Sequence, residues 1–114
     1  MPYIEVKVSE AITPEKEVIL KEKMGIAIEN FPGKTERWLM VNFEQNCHLW
    51  FMGDNEKPTA YVEVKLFGDV LADAAENMTK DICSCMEEVL GIPQDRTYVK
   101  YEAVYNWGWN GTNF

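Results

Sequence analysis

Histidine is almost absent from the chain, with His48 alone among 114 residues, and cysteine is scarce. Cys47, Cys83 and Cys85 form an odd set without zinc-type spacing, so no metal or cofactor is expected. His48, beside Cys47 in a polar stretch, reads as a surface or strand residue rather than a ligand. Positive charge is short as well. Eleven Lys and Arg face 19 Asp and Glu, a net charge of −8, which argues against DNA, RNA or an anionic membrane surface as partner. An anionic substrate would then need local cations to overcome the global field. No run approaches the ~18 apolar residues of a membrane span. The N-terminus lacks the basic, apolar and small-residue succession of a signal peptide, so the expected compartment is the cytoplasm.

What is present fits one domain over residues 1–114, with the apolar and charged fractions of a soluble globular protein. Tyr3-Ile4-Glu5-Val6-Lys7-Val8 alternates with the period of two of a half-buried strand. Pro2 precedes it and has two readings. Proline starts an edge strand at no cost, because its missing N–H is not needed there, and this stretch alone favours that reading. The second is chemical: a small penultimate residue lets Met1 be removed, leaving a secondary amine in the class that titrates near ~8. Thr13-Pro14-Glu15 reads as a helix start, with cap, first-position proline and first-turn acid. Leu20, Met24, Ala27, Ile28 and Phe31 follow at helical spacing, and the helix must end before Pro32-Gly33. A strand is expected from Trp38 to about Gln45, a short further strand over Asn46 to Phe51, and a loop over Gly53 to Pro58.

The order then repeats. Tyr61-Val62-Glu63-Val64-Lys65-Leu66 echoes the first strand 58 residues on. Gly68-Asp69 reads as turn and cap. Leu71, Ala75, Met78, Ile82, Cys85 and Val89 form a helical stripe that Gly91 and Pro93 close. Cys83 and Cys85, two apart on this helix, read as buried free thiols. A last strand runs from Tyr98 to about Tyr105. The repeats, approximately 2–46 and 60–105, are duplicated βαβ units. They imply an α+β fold: one four-stranded mixed sheet with two helices on one face, since crossovers have one hand. The other face would be bare, which in a small domain signals an oligomer. The aromatic, glycine-punctuated tail, residues 106–114, is expected to pair or pack against a neighbouring subunit.

Met1-Pro2 at the start, the duplication, Pro32-Gly33-Lys34, Asp95-Arg96-Thr97-Tyr98 and the ending Gly108-Trp109-Asn110 with Thr112 and Phe114 follow one another in an order that resembles the macrophage migration inhibitory factor branch of the tautomerase superfamily. The resemblance spans the whole chain. It implies a homotrimer with active sites at subunit interfaces. It also implies keto–enol tautomerisation of 2-keto acids such as phenylpyruvate, with Pro2 as acid and base. Lys34 matches the lysine that holds the substrate carboxylate; without the resemblance it is a solvated loop charge. Tyr98 matches the tyrosine that reaches in from the adjacent subunit, or else it is a core aromatic at a strand start. Phe67, Trp38, Trp107, Trp109 and Phe114 match positions lining the apolar mouth and would otherwise count as core or interface aromatics.

The departures bear on substrate. Lys100 stands where mammalian members have asparagine, and a second cation there would further lower the proline pKa and admit a dicarboxylate; the alternative is that Lys100 points to solvent. Leu66, Phe67 and Trp107 replace smaller residues and are expected to narrow the pocket. Thr59-Ala60-Tyr61-Val62 occupies the place of the cytokine's Cys-x-x-Cys pair, so thiol oxidoreductase activity is not carried over. The second reading, from a different class, is a trimer kept for binding a receptor or partner, with Pro2 and Lys34 as relics.

Overall fold

The computed structural model describes all of residues 1–114. The chain forms β1 (Pro2–Val8), α1 (Pro14–Ala27), β2 (Met40–Glu44), β3 (Ala60–Phe67), α2 (Ala72–Leu90), β4 (Thr97–Val104), β5 (Gly108–Trp109) and β6 (Thr112–Asn113). The main sheet has the order β2-β1-β3-β4. β1 pairs in parallel with β2, β3 in parallel with β4, and the two units meet through antiparallel β1 and β3. The register runs from Pro2 opposite Leu66 to Val8 opposite Ala60, with Glu5 facing Glu63 at the centre.

Alternation sorts the strands into two faces. Ile4, Val6, Val8, Ala60, Val62, Val64 and Leu66 are buried, and against them pack Leu20, Met24, Ala27, Ile28 and Phe31 from the first unit with Ala74, Met78, Ile82, Cys85 and Met86 from α2. Cys83 and Cys85 are both buried free thiols. The expected α1 stripe is thus the observed one. That of α2 is rotated: Ala74 and Met86 join the core, while Leu71 is exposed. No helix is long and apolar enough to cross a membrane.

On the opposite face Glu5 and Glu63 bring like charges together across the central pair, an arrangement that costs stability unless compensated. Tyr61 Oη donates to Glu63 Oε1 at 2.6 Å and Lys65 Nζ lies 3.6 Å from the same carboxylate. The Tyr61 hydrogen bond is the main reason that the Glu63 carboxyl is held below its ordinary range.

Three local expectations change. The stretch before β2 is not strand: Glu36–Trp38 is a turn of 3₁₀ helix, since β1 begins at Pro2 and offers pairing only from Tyr3 opposite Met40. Asn46 to Phe51 is not a strand either. Asn46 takes φ +55°, and Met52 and Gly53, at +53° and +77°, fold Phe51 and Asp54 onto each other in a tight turn. Asp69 does not cap α2, which starts at Ala72 after Leu71 with no side-chain cap; Asp69 instead accepts the Tyr105 hydroxyl.

Arg96 holds the loop after β2 in place. It is 8% exposed and donates to the carbonyls of Pro58, Phe51 and Asp54 and to Thr59 Oγ1, while its guanidinium sits 5.4 Å from the centre of the Phe51 ring. Arg96→Met removes the donors and leaves those carbonyls short of partners. The expected loss is roughly 2–3 kcal/mol, where an unpaired buried acceptor costs about 1–3 kcal/mol. Thermal unfolding should then fall by about 10 °C or more, and a midpoint within 2–3 °C of the parent would refute this role.

Candidate active site

Pro2 is buried at the start of β1, at the end of the sheet where β3 finishes. Two turns bring the other groups to it. Phe31 anchors the chain in the core, and Lys34 N donates back to Phe31 O at 3.1 Å across Pro32 and Gly33. With proline second and Gly33 at φ +78°, this is a type II turn. It returns Lys34 to the end of β3, where Nζ donates to Phe67 O at 3.0 Å. The amide of the same residue, Phe67 N, donates to Met1 O at 3.0 Å. One residue of β3 therefore ties the terminal peptide with its N–H and the lysine with its carbonyl.

The second turn makes the wall. Asn110 and Gly111 both have positive φ, +52° and +80°, and join β5 to β6 with Trp109 opposite Thr112. That is a type I′ hairpin, for which Asn-Gly is the favoured pair. Phe114 N donates to Trp107 O at 3.0 Å and closes the tail. The tail thus folds on its own chain, and the dipeptide Asn110-Gly111 was the sequence signal for it. Ring contacts then run without a break: Phe67 to Phe114 at 5.5 Å, Phe114 stacked on Trp109 at 6.2 Å, and Trp109 edge-on to Trp38 at 5.3 Å.

Two adjoining cavities open along this wall. One, of about 490 Å³, is lined by Met1, Pro2, Tyr3, Trp38, Trp107 and Trp109 among others; the second, of about 330 Å³, by Met1, Trp38, Phe67, Trp109 and Phe114. They share Met1, Trp38 and Trp109 and form one groove. The Met1 amine, which ends the chain at the groove, is lowered from 8.0 to about 6, first by burial and then by the Lys34 charge, both of which disfavour the ammonium form.

Of the residues singled out by sequence, Pro2, Lys34, Phe67, Trp38, Trp107, Trp109 and Phe114 are brought together. Leu66 is not: it is fully buried on the helix side of β3 and lines neither cavity. Tyr98 and Lys100 are not brought to Pro2 within one chain. Tyr98 pairs with Tyr61, five residues from Leu66 along β3, or ~17 Å at strand rise. It is 62% exposed and packs edge-on against Phe51 at 5.0 Å. Lys100 lies opposite Glu63 on the face that no helix covers. Arg37, which lines the groove beside Pro2, was not anticipated; its place next to Trp38 is the only sequence hint. No group of three or more His, Cys, Asp or Glu is placed to hold a metal ion.

Comparison with known proteins gives one family. The model described as Macrophage migration inhibitory factor (MIF) matches residues 1–114. MIF2 of Leishmania major is 32% identical, with a TM-score of 0.93 over 100% of this chain and 97% of that one. The macrophage migration inhibitory factor homologue of Prochlorococcus marinus is 31% identical, with a TM-score of 0.82 over 98% of each. A protein solved after inactivation by 2-oxo-3-pentynoate shares the fold at 18% identity, with a TM-score of 0.84 over 96% of this chain and 93% of its own.

Gly111→Val tests the hairpin that carries the wall. A β-branched residue in the left-handed region costs on the order of 1–2 kcal/mol, enough to open two short exposed strands. Tryptophan fluorescence and the near-UV signal should change as Trp109 leaves Trp38, while far-UV helix content stays. An unchanged near-UV spectrum would refute the assignment.

Proposed function

The chain belongs to the macrophage migration inhibitory factor family, and from that premise we propose that it is a keto–enol tautomerase of 2-keto acids such as phenylpyruvate, with the Pro2 amine, freed by removal of Met1, as general acid and base. One observation carries the proposal. The Met1 carbonyl, bonded directly to Pro2 N, is held by Phe67 N–H with the Lys34 ammonium beside it. That carbonyl oxygen stands in for an oxygen of a bound acid. Once Met1 is gone, the Phe67 N–H and Lys34 are two donors aimed at an anion beside a secondary amine.

The pocket lowers the amine for physical reasons that outlast Met1. Burial and the Lys34 charge act on whichever amine ends the chain there, and a neutral base near working pH contributes typically ~10²–10⁴-fold. In the keto-to-enol direction Pro2 N takes the proton from C3. The C–H electron pair becomes the C2–C3 double bond, the carbonyl pair moves to oxygen, and that oxygen takes the proton from the Pro2 ammonium, which regenerates the neutral amine; the reverse returns the proton to C3. Lys34 and Phe67 N–H hold the carboxylate, and the aromatic wall receives the substrate body. The inactivator named for the 18%-identical neighbour, 2-oxo-3-pentynoate, is itself a 2-keto acid, which supports this substrate class.

Tyr98 completes the site in this reading only from another copy. It sits at the opposite end of its own sheet, exposed, with an unpaired hydroxyl that suits a carbonyl or enol oxygen. We therefore assign a homotrimer with interfacial sites, supported by the helix-free sheet face and the exposed aromatics Trp50 and Tyr98. Light scattering at micromolar concentration should give three times the chain mass; a monomer would leave the site without Tyr98.

Lys34→Ala tests the chemistry. Charged hydrogen bonds contribute ~1.5–3 kcal/mol, so KM should rise by roughly one to two orders of magnitude, because a non-reacting carboxylate is bound alike in ground and transition states. The pH dependence has a defined sign. A lowered amine pKa makes kcat/KM rise through an acidic limb below 8, and loss of the Lys34 charge moves that limb to higher pH. An N-terminal tag should abolish activity. Equal activity for tagged and untagged protein would exclude Pro2 as the base.

A further inference from the structure

Arg37 is the cation at the groove that the reading above leaves unused. Glu36 and Arg37 follow one another in the 3₁₀ turn before β2 and go opposite ways. Glu36 turns to α1, where its carboxylate lies 3.8 Å from Lys21 and against Gly25, so close that a Cβ on Gly25 would come within 2.3 Å of Oε2. Arg37 turns to the groove and lines it together with Pro2, Trp38 and Trp109. The ion pairs of the chain use Lys21, Lys23, Lys65 and Arg96, and Arg37 enters none.

It is nevertheless held. The guanidinium carbon stands 5.0 Å from the centre of the Trp38 ring, within cation–π range. The Arg37 side chain makes no hydrogen bond within the chain, so its N–H donors stay free to bind a carboxylate with two parallel hydrogen bonds. The aromatic wall thus has a cation at each end, Lys34 on the carbonyl of Phe67 and Arg37 on the ring of Trp38. Lys100 is a poorer second cation, because Glu63 lies directly opposite it.

We propose that Arg37 is a specificity-determining residue that selects 2-keto acids carrying a second anionic group at the far end of a flat apolar body. Lys34 holds the carboxylate next to the keto group, the wall stacks on the body, and Arg37 takes the distal charge. This rests on the tautomerase reading for the identity of the keto acid, but the preference for a second charge is a binding property and is measurable without turnover.

The experiment compares the wild type with Arg37→Gln and Arg37→Lys. Two pairs of acids are used: phenylpyruvate with (4-carboxyphenyl)pyruvate for turnover, and the unreactive phenylacetate with 4-carboxyphenylacetate for binding, followed by tryptophan fluorescence. Wild type should bind the diacid about tenfold or more tighter than the monoacid, as one charged hydrogen-bonded pair provides. Its kcat/KM should favour the diacid similarly, through KM. Arg37→Gln should erase the preference and leave phenylacetate binding within about twofold, whereas Arg37→Lys keeps part of it, having charge without the fork. No diacid preference in the wild type, a preference that survives in Arg37→Gln, or equal weakening of both acids would overturn the assignment, the last by making Arg37 a mere support for Trp38. Loss of the binding preference in Arg37→Gln without turnover of either keto acid would sustain Arg37 and refute the tautomerase reading.

Discussion

The antiparallel pairing of β1 with β3 is the constraint on which the rest depends. It joins the two βαβ units, and because each crossover has the same hand, it places both helices on one side of the sheet. Its register also makes the site. Pro2 opposite Leu66 puts the start of the chain beside Phe67, whose backbone groups then reach Met1 and Lys34. A slip of one residue would send Ile4, Val6 and Val8 to the open face and move Pro2 away from that clamp.

The groove gathers two uncancelled cations in a strongly acidic chain, as the proposed anionic substrate requires. Net charge alone would repel it. Lys34 and Arg37 are instead held by neutral partners, a carbonyl and an indole ring, so neither charge is cancelled by a carboxylate. The same Lys34 charge that suits an anion also disfavours the ammonium form of the nearby amine. In the proposed function one residue, held in place by the Pro32-Gly33 turn, thus serves binding and adds to the effect of burial on the amine.

Elsewhere the chain places its charges for stability. Arg96, in the 3₁₀ turn before β4 that corresponds to the turn Glu36–Trp38 carrying Arg37 in the first unit, is buried and fully engaged with the loop after β2. One repeat uses its arginine to fasten a loop, the other leaves it at the groove. The difference follows from surroundings: Arg96 has Asp54 and several carbonyls within reach, while the acid next to Arg37 is drawn to Lys21.

Sequence by itself determined the elements whose signal is local. Alternation in Tyr3 to Val8 and Tyr61 to Leu66, the apolar stripe of α1, and the Pro32-Gly33 turn are written in neighbouring residues, and duplication made the four-stranded sheet legible. Asn110-Gly111 was equally local and marks the hairpin. Only tertiary structure decided the rest. Trp38 left the strand because β1 offers no partner before Met40. Arg37 came to the groove because Glu36 was drawn to α1, and Tyr98 stayed ~17 Å along the sheet from the Pro2 end because parallel pairing fixed the start of β4 beside the start of β3. Such outcomes depend on which distant strand or helix becomes a neighbour, and no window of adjacent residues contains that information.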